Sequence, residues 1–152
     1  MKTIIRMMDH MYWANARLFA VLHATADVNY DIIKLMNHIA AAEQVWLTRL
    51  EGKSSAHITI WESNDIASLG ARLQENERQY KRYINELTEA QLDDQIQYQS
   101  QNGTAFQSSI GEILMHVALH GQYHRGQINR ALRESSDNPI SVDYIMFSRI
   151  DS

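Results

Sequence analysis

The stretch HVALHGQYHRGQ, residues 116–127, places His116, His120 and His124 at successive four-residue intervals. On an α-helix, residues four apart lie on the same face, so neighbouring imidazoles of this ladder can approach one another. A histidine pair at this spacing can chelate one divalent ion. Two ligands are too few for tight binding, so a third ligand from another helix is expected. The spacing therefore indicates a metal site without deciding which two histidines form the pair.

His38, in KLMNHIAAAEQVW, is the best candidate for the third ligand. It lies among Leu35, Ile39 and Ala42, so it is expected on the inward face of its helix. A buried neutral imidazole needs a partner, which a metal ion can supply. With three imidazoles and no thiolate, one coordination position would stay open, as it does in catalytic sites. The alternative from the residues alone is that His38 and His116 are ordinary core histidines.

The composition excludes several other kinds of site. The sequence has 152 residues and no cysteine, so disulfides, thiolate ligands and cysteine nucleophiles are ruled out. The formal net charge is −4 and the basic residues are dispersed, so we expect no binding to nucleic acid or to anionic membranes. Charged residues interrupt the apolar N-terminal segment before a signal peptide can form. We therefore expect a cytoplasmic protein.

Four long helices are predicted, because proline and glycine are rare and apolar residues recur at helical spacing. Gly52 is expected to end the second helix, Ser63 or Asn64 to cap the third, and Ser109 with Glu112 to form a capping box on the fourth. The fold class is all-α, a four-helix bundle forming one domain over residues 1–152. The predicted helices span 2–24, 31–50, about 64–87 and 109–134.

Two connections and a short final element complete the predicted architecture. Residues 52–64 are polar and aperiodic, so they are predicted as a long crossover between the second and third helices. Asn102 and Gly103, in QIQYQSQNGTAFQSS, are a strong turn signal and predict a small hairpin-like loop before the fourth helix. Residues 144–150 are expected to form a short C-terminal helix.

The same motifs resemble the DinB/YfiT-like family of helical bundle proteins. The resemblance is carried by YWANARLF near the N-terminus, HIAAAEQVWLTRL in the second helix and YHRGQ in the fourth. These segments occur in the family's order and extend over most of the chain. The resemblance implies a bundle with a long crossover, often a homodimer. It also implies a site for a divalent ion, nickel or zinc most often, with His38, His120 and His124 as its ligands.

The other residues of the motif have weaker assignments. Each four-residue step drifts by about 40° around a helix, so His116 lies about 80° from His124 and is expected beside the ion, not bound to it. Tyr123 is a candidate for a catalytic hydroxyl, with simple packing as the alternative. Arg125 and Gln127 are candidates for holding a ligand carboxylate or a helix end, and Arg125 is also a candidate catalytic residue. A solvated or ion-paired surface is the alternative for both.

Three further residues are expected to act through their neighbours. Glu43 and Asn15 are candidates for orienting a ligand imidazole through its second nitrogen. Gly126 in the middle of a helix costs about 1 kcal/mol relative to alanine, so it is expected to permit the close approach of another helix.

An open position on the ion allows two chemistries, activation of a water molecule for hydrolysis or direct binding of a thiolate. The resemblance implies the second, because the broader superfamily includes isomerases and S-transferases that use low-molecular-weight thiols of bacteria. We therefore expect a metal-dependent enzyme that acts on a small molecule, either a thiol S-transferase with such a thiol as cosubstrate or a hydrolase. The alternative is a non-catalytic metal-binding protein of the stress response.

Overall fold

The computed structural model describes residues 1–25, 28–61, 65–100, 102–135 and 139–150, and the chain is mostly helical within them. An antiparallel hairpin follows a single 3₁₀ turn and leads directly into the fourth long helix. The elements are α1 (Lys2–Ala24), α2 (Tyr30–Leu50), α3 (Ile66–Glu86), the 3₁₀ turn (Ala90–Asp93), β1 (Gln95–Gln99), β2 (Ala105–Ser109), α4 (Ile110–Glu134) and α5 (Tyr144–Ser148).

Local signals explain where α2 ends and where α4 begins. Gly52 has a φ of 72°, the left-handed conformation that glycine adopts without strain just after a helix. Gly103 has a φ of 83° in the turn of the hairpin. The side chain of Ser109 accepts a hydrogen bond from the backbone amide of Glu112, whose carboxylate accepts one from the amide of Ser109. The predicted capping box and hairpin turn are therefore confirmed.

The start of α3 differs from the prediction. Asp65 is its cap, because its carboxylate accepts a hydrogen bond of 2.7 Å from the backbone amide of Ser68. Aspartate is favoured at this position, since it satisfies a free amide and lies at the positive end of the helix. Ser63 and Asn64, the caps expected from the sequence, lie outside the described residues.

The four long helices enclose two apolar clusters. Helices α1 and α2 each pack against both α3 and α4. Each fully buried aliphatic or aromatic side chain contributes about 1.5–3 kcal/mol to stability through the hydrophobic effect. One cluster includes Met11, Leu47, Tyr80 and Leu114. The other includes Leu18, Ile39, Leu69 and Ile128.

A layer of buried polar side chains separates these two clusters along the helices. It consists of Asn15, Glu43, Asn76 and Arg125, one residue from each long helix and each at most 4% exposed. Each of them lies in sequence between the members that its helix contributes to the two clusters.

None of the described helices combines the length and the apolar character needed to cross a membrane.

Candidate metal centre

Three imidazoles converge in the groove between α2 and α4. One ring nitrogen from each of His38, His120 and His124 lies within 4.8 Å of the others. Nε2 of His38 is 3.2 Å from Nε2 of His120, although 82 positions separate them in the sequence. The ring centroid of His124 is 4.6 Å from that of each of the other two. The packing of α2 on α4 therefore brings together the three residues predicted as ligands.

These distances fit one divalent ion. Imidazole nitrogens bind zinc at about 2.0–2.1 Å, so two nitrogens on a tetrahedral ion lie about 3.3 Å apart. The 3.2 Å between the Nε2 atoms of His38 and His120 is close to that separation. His38 is buried and the other two histidines are half-buried, so the cluster lies at the surface end of the groove, where a further ligand can reach it.

Burial and mutual proximity favour the neutral form of two of the three imidazoles, those of His38 and His120. Burial lowers the pKa of His120 to about 4, and the neighbouring His124 and His38 add to this shift. Burial also lowers the pKa of His38, with His124 adding to the effect and the carbonyl of Ile60 opposing it. Because a neutral imidazole is the form that binds metal, these shifts favour the ligand form of His38 and His120 at neutral pH.

Contacts on their outer sides hold two of the rings in place. Nδ1 of His124 lies 2.8 Å from Oε1 of Gln127, and Nδ1 of His38 lies 3.3 Å from the carbonyl oxygen of Ile60. Trp61 stacks on the ring of His38, with centroids 3.8 Å apart and 9° between the planes. Both acceptors favour a proton on Nδ1, which leaves each Nε2 free for an ion. Ile60 and Trp61 belong to the predicted crossover, and these two residues of it lie against the site.

His116, the first histidine of the ladder, lies beside the cluster. Its ring centroid is 5.7 Å from that of His120, and its ring meets the ring of Trp46 at 5.0 Å. Burial, followed by the charge of Arg49, lowers its pKa. Within the described ranges, the group of converging nitrogens consists of His38 and the last two histidines of the ladder, and His116 is outside it.

Arg125 points away from the cluster and into the core. Its side chain is fully buried, with Nη1 donating to Oδ1 of Asn15 at 2.8 Å and Nη2 donating to Oε1 of Gln122 at 3.3 Å. One position along a helix is a rotation of about 100°, so a residue adjacent to the ligand His124 faces elsewhere. The structure therefore places Arg125 in the buried polar layer, and its catalytic role stays a prediction.

Glu43 and Asn15 also have partners other than an imidazole. The carboxylate of Glu43 accepts hydrogen bonds from Nδ2 of Asn15 at 2.7 Å and from Nδ2 of Asn76 at 3.1 Å. Burial raises the pKa of Glu43, while these two amides and the charge of Arg125 oppose the rise. In the part of the chain that the structure describes, neither Glu43 nor Asn15 forms a hydrogen bond with a histidine. The structure places both residues in the polar layer, and their role as supports of a ligand imidazole stays a prediction.

Tyr123 lies beside the cluster and is 67% exposed, with its ring 5.0 Å from that of His124 and nearly perpendicular to it. The prediction for Gly126 is wrong, because a Cβ atom there would meet nothing within 4 Å. The most crowded glycine of α4 is Gly121, where a Cβ atom would lie 2.7 Å from Nη1 of Arg125.

A cleft of about 560 Å³ opens beside His38 and His120, between α2, α4 and the hairpin. Neither Trp46 nor Arg49 in its wall is identified as a site residue from the sequence. Their spacing is the sequence pattern that could have identified them. The residues that α2 contributes to the wall lie 4, 7, 8 and 11 positions after His38 and so share its helix face. These residues are Ala42, Val45, Trp46 and Arg49, and they face Tyr98 and Phe106 of the hairpin and His116 of α4.

Comparison with known proteins shows which family the chain resembles. A sequence model described as the DinB family matches residues 1–151. The chain is also similar to Protein DinB of Bacillus subtilis (strain 168), with 25% identity over 157 residues that cover 93% of this chain and 91% of the relative.

Proposed function

Because the chain belongs to the DinB family, we propose that it is a divalent-metal-binding protein that works as a metal-dependent enzyme. Its ligands are His38, His120 and His124, and the ion is nickel or zinc. The observation that carries the proposal is the convergence of three imidazole nitrogens within 4.8 Å. The arrangement that holds them is a four-helix bundle, supported by the packing of α1 and α2 against both α3 and α4.

The reaction we propose is a thiol S-transfer or a hydrolysis. A divalent ion supplies Lewis acidity, which favours the deprotonated form of a coordinated thiol or water. Gln127 and the carbonyl of Ile60 orient the two rings that they contact, so the Nε2 atoms are held for the ion before it arrives. Trp61, stacked on His38, limits the access of bulk water to that ligand. Tyr123, beside His124, is the candidate for a hydroxyl that contacts the substrate.

The shape and lining of the cleft support a small organic substrate. Aromatic rings of Trp46, Tyr98 and Phe106 line it next to His120, and a pocket of this size and apolar character is typical of small-molecule sites. A low-molecular-weight thiol is the proposed cosubstrate. We place the reaction in the cytoplasm, where such thiols are kept reduced.

Metal analysis of the purified protein tests the site. We expect one equivalent of nickel or zinc per chain, and a loss of most of it in His124→Ala. His23→Ala is the matched control, because His23 is an exposed histidine at the end of α1. Equal metal content in wild type and His124→Ala would contradict the assignment of the three ligands.

A thiol screen tests the reaction. Bacillithiol, mycothiol and glutathione are each mixed with the metal-loaded protein and a model electrophile, and consumption of the thiol is followed. We expect turnover with at least one of them, and its loss in His124→Ala. If no thiol and no model ester is consumed by fully loaded protein, the alternative function, a non-catalytic metal-binding protein of the stress response, is favoured.

We further propose that the chain forms a homodimer through an exposed apolar strip on α4. Met115, Leu119 and Tyr123 are spaced four residues apart on one face and are 43%, 56% and 67% exposed. Leu119 and Tyr144 of α5 line one shallow apolar groove, so the strip continues onto α5. Light scattering after size exclusion is expected to give twice the chain mass for wild type and the monomer mass for Leu119→Glu. A wild-type monomer at high concentration would exclude the dimer.

A further inference from the structure

We propose that Arg49 is an anion-binding site within the cleft, and that the substrate of this protein is an apolar small molecule that carries a carboxylate. The inference deepens the proposed function and rests on it for the identity of the reacting end. The anion site itself consists of groups that lie outside the histidine cluster.

Arg49 is a buried cation without a described anionic partner. Its side chain is only 8% exposed. Burial lowers its pKa, which means that burial disfavours the charged guanidinium. Nε donates to Oγ of Ser55 at 3.1 Å, and Nη2 donates to the carbonyl oxygen of Gln99 at 2.9 Å. Among the described residues, no carboxylate forms an ion pair with Arg49, and Nη1 has no acceptor.

Arg125, the other buried arginine among the described residues, differs from Arg49 in having an anion nearby. Burial lowers the pKa of Arg125 to about 10, and the charge of the neighbouring Glu43 carboxylate opposes that shift by favouring the charged guanidinium. A buried charge without such a partner is strongly destabilising, so it is retained where a ligand supplies the opposite charge. Arg49 lacks such a partner among the described residues, and it lines the cleft.

Two aromatic rings hold the guanidinium of Arg49 in a fixed orientation. Its Cζ atom lies 4.6 Å from the ring centroid of Trp46 and 5.0 Å from that of Tyr98. A guanidinium fixed in this way, with Nε and Nη2 already engaged by Ser55 and Gln99, keeps Nη1 for a carboxylate, and the interaction is strengthened by the low exposure of the site. The same rings form the apolar wall against which the body of the ligand would pack.

The position of Arg49 relative to the metal site defines the class of ligand. His38 and Arg49 lie on one face of α2, about 16 Å apart along the helix axis, with Ala42, Val45 and Trp46 between them. A ligand that engages both ends is therefore extended and has an apolar middle. Its carboxylate contacts Arg49, while its thiol or electrophilic end lies beside His120.

Calorimetric titration with octanoate and 1-octanol tests the anion site without any reaction. The two probes share one apolar body and differ in charge. We expect octanoate to bind to wild type about tenfold more tightly or better, because a charge-assisted pair with a buried arginine replaces a neutral contact. Arg49→Met is expected to abolish this preference. Arg17→Met is the matched control, since Arg17 also stacks on a tryptophan, Trp13 at 5.1 Å, but is exposed.

Two further measurements separate this inference from the proposed function. His124→Ala, which should lose metal, is expected to keep its preference for octanoate. Loss of that preference would show that the carboxylate binds the ion, and would overturn the Arg49 site. Arg49→Lys keeps the charge but not the planar fork, so it should retain only part of the preference, and it replaces Arg49→Met if the latter does not fold. Equal affinity of wild type for octanoate and 1-octanol, or undiminished octanoate binding in a folded Arg49 variant, would overturn the inference.

Discussion

Oε1 of Gln127 lies 2.8 Å from Nδ1 of His124, one turn further along α4. Since the amide oxygen accepts a hydrogen bond from the protonated Nδ1, the lone pair of this imidazole is on Nε2, the atom that faces away from Gln127. A contact on the outer side of the ring therefore determines which nitrogen is offered to an ion.

Replacing Gln127 by leucine is expected to weaken metal binding without removing any ligand. Loss of a partner that orients a ligand imidazole typically lowers metal affinity by about 10–100-fold. The affinity is measured by competition with a chromophoric chelator. Gln107→Leu, an exposed glutamine of β2, is the control and should leave the affinity unchanged. Equal affinities in the two variants would show that Gln127 does not orient His124.

Replacing Arg125 by methionine is expected to destabilise the fold. The change removes the cation that lies near the buried carboxylate of Glu43 and the donor to Oδ1 of Asn15. Breaking a buried charge network costs about 3–5 kcal/mol. Arg130→Met, which removes only an exposed pair with Glu134, should cost less than about 1 kcal/mol. Urea unfolding measures both. Loss of activity in Arg125→Met with an unchanged free energy of unfolding would instead support a catalytic role for Arg125.

Two glycines of α4 are expected to respond to alanine in opposite directions. Gly126→Ala should raise the free energy of unfolding by about 0.5–1 kcal/mol, because alanine favours a helix and the new methyl group meets open space. Gly121→Ala should lower it, since the methyl group would displace the guanidinium of Arg125. Thermal unfolding of both variants is the measurement. Stabilisation by both substitutions would show that Arg125 moves aside at little cost.

His10 is expected to make the protein less stable as the pH falls. It is buried, its Nε2 lies 2.7 Å from the carbonyl oxygen of Val142, and burial lowers its pKa below the ordinary 6.5. At this residue the unfolded chain therefore binds more protons than the folded chain below pH 6.5. The contribution of His10 to the free energy of unfolding is complete above that pH and declines below it.

His10→Gln should flatten this decline when urea unfolding is compared between pH 7 and pH 5 in the presence of a chelator. The exposed His23, changed to glutamine, is the control and should leave the slope as it is in wild type. An unaltered slope in His10→Gln would mean that its imidazole becomes charged as readily in the folded state as in the unfolded chain.

The helices and the histidine pair are predictable because they depend on local spacing. Apolar periodicity gives the approximate ends of α1, α2 and α4, and four-residue spacing gives the neighbouring rings of His120 and His124. His38 is harder to assign, because its contact with His120 depends on which faces of α2 and α4 meet. The resemblance to a known family, and not periodicity, singled out these three residues together.

The sequence does not predict contacts between side chains that lie far apart along the chain. Arg125 follows a candidate ligand and reads as a surface cation, and only the packing of four helices shows that it is fully buried. Trp61 lies in an aperiodic connection, where no pattern predicts its stacking on His38. Arg49 lies in the last turn of a helix rich in apolar residues, and its burial against Tyr98 of the hairpin depends on a contact 49 positions away.

The division of the cleft between two kinds of element has a consequence for how this protein can diversify. The three histidines belong to long helices, whereas Tyr98 and Phe106 in the opposite wall belong to a two-stranded hairpin that contributes no member of the histidine cluster. Substitutions in the hairpin can therefore reshape the binding surface while the ion ligands stay in place. Exchange of this one segment between relatives is a direct route to new substrate preferences on an unchanged reactive centre.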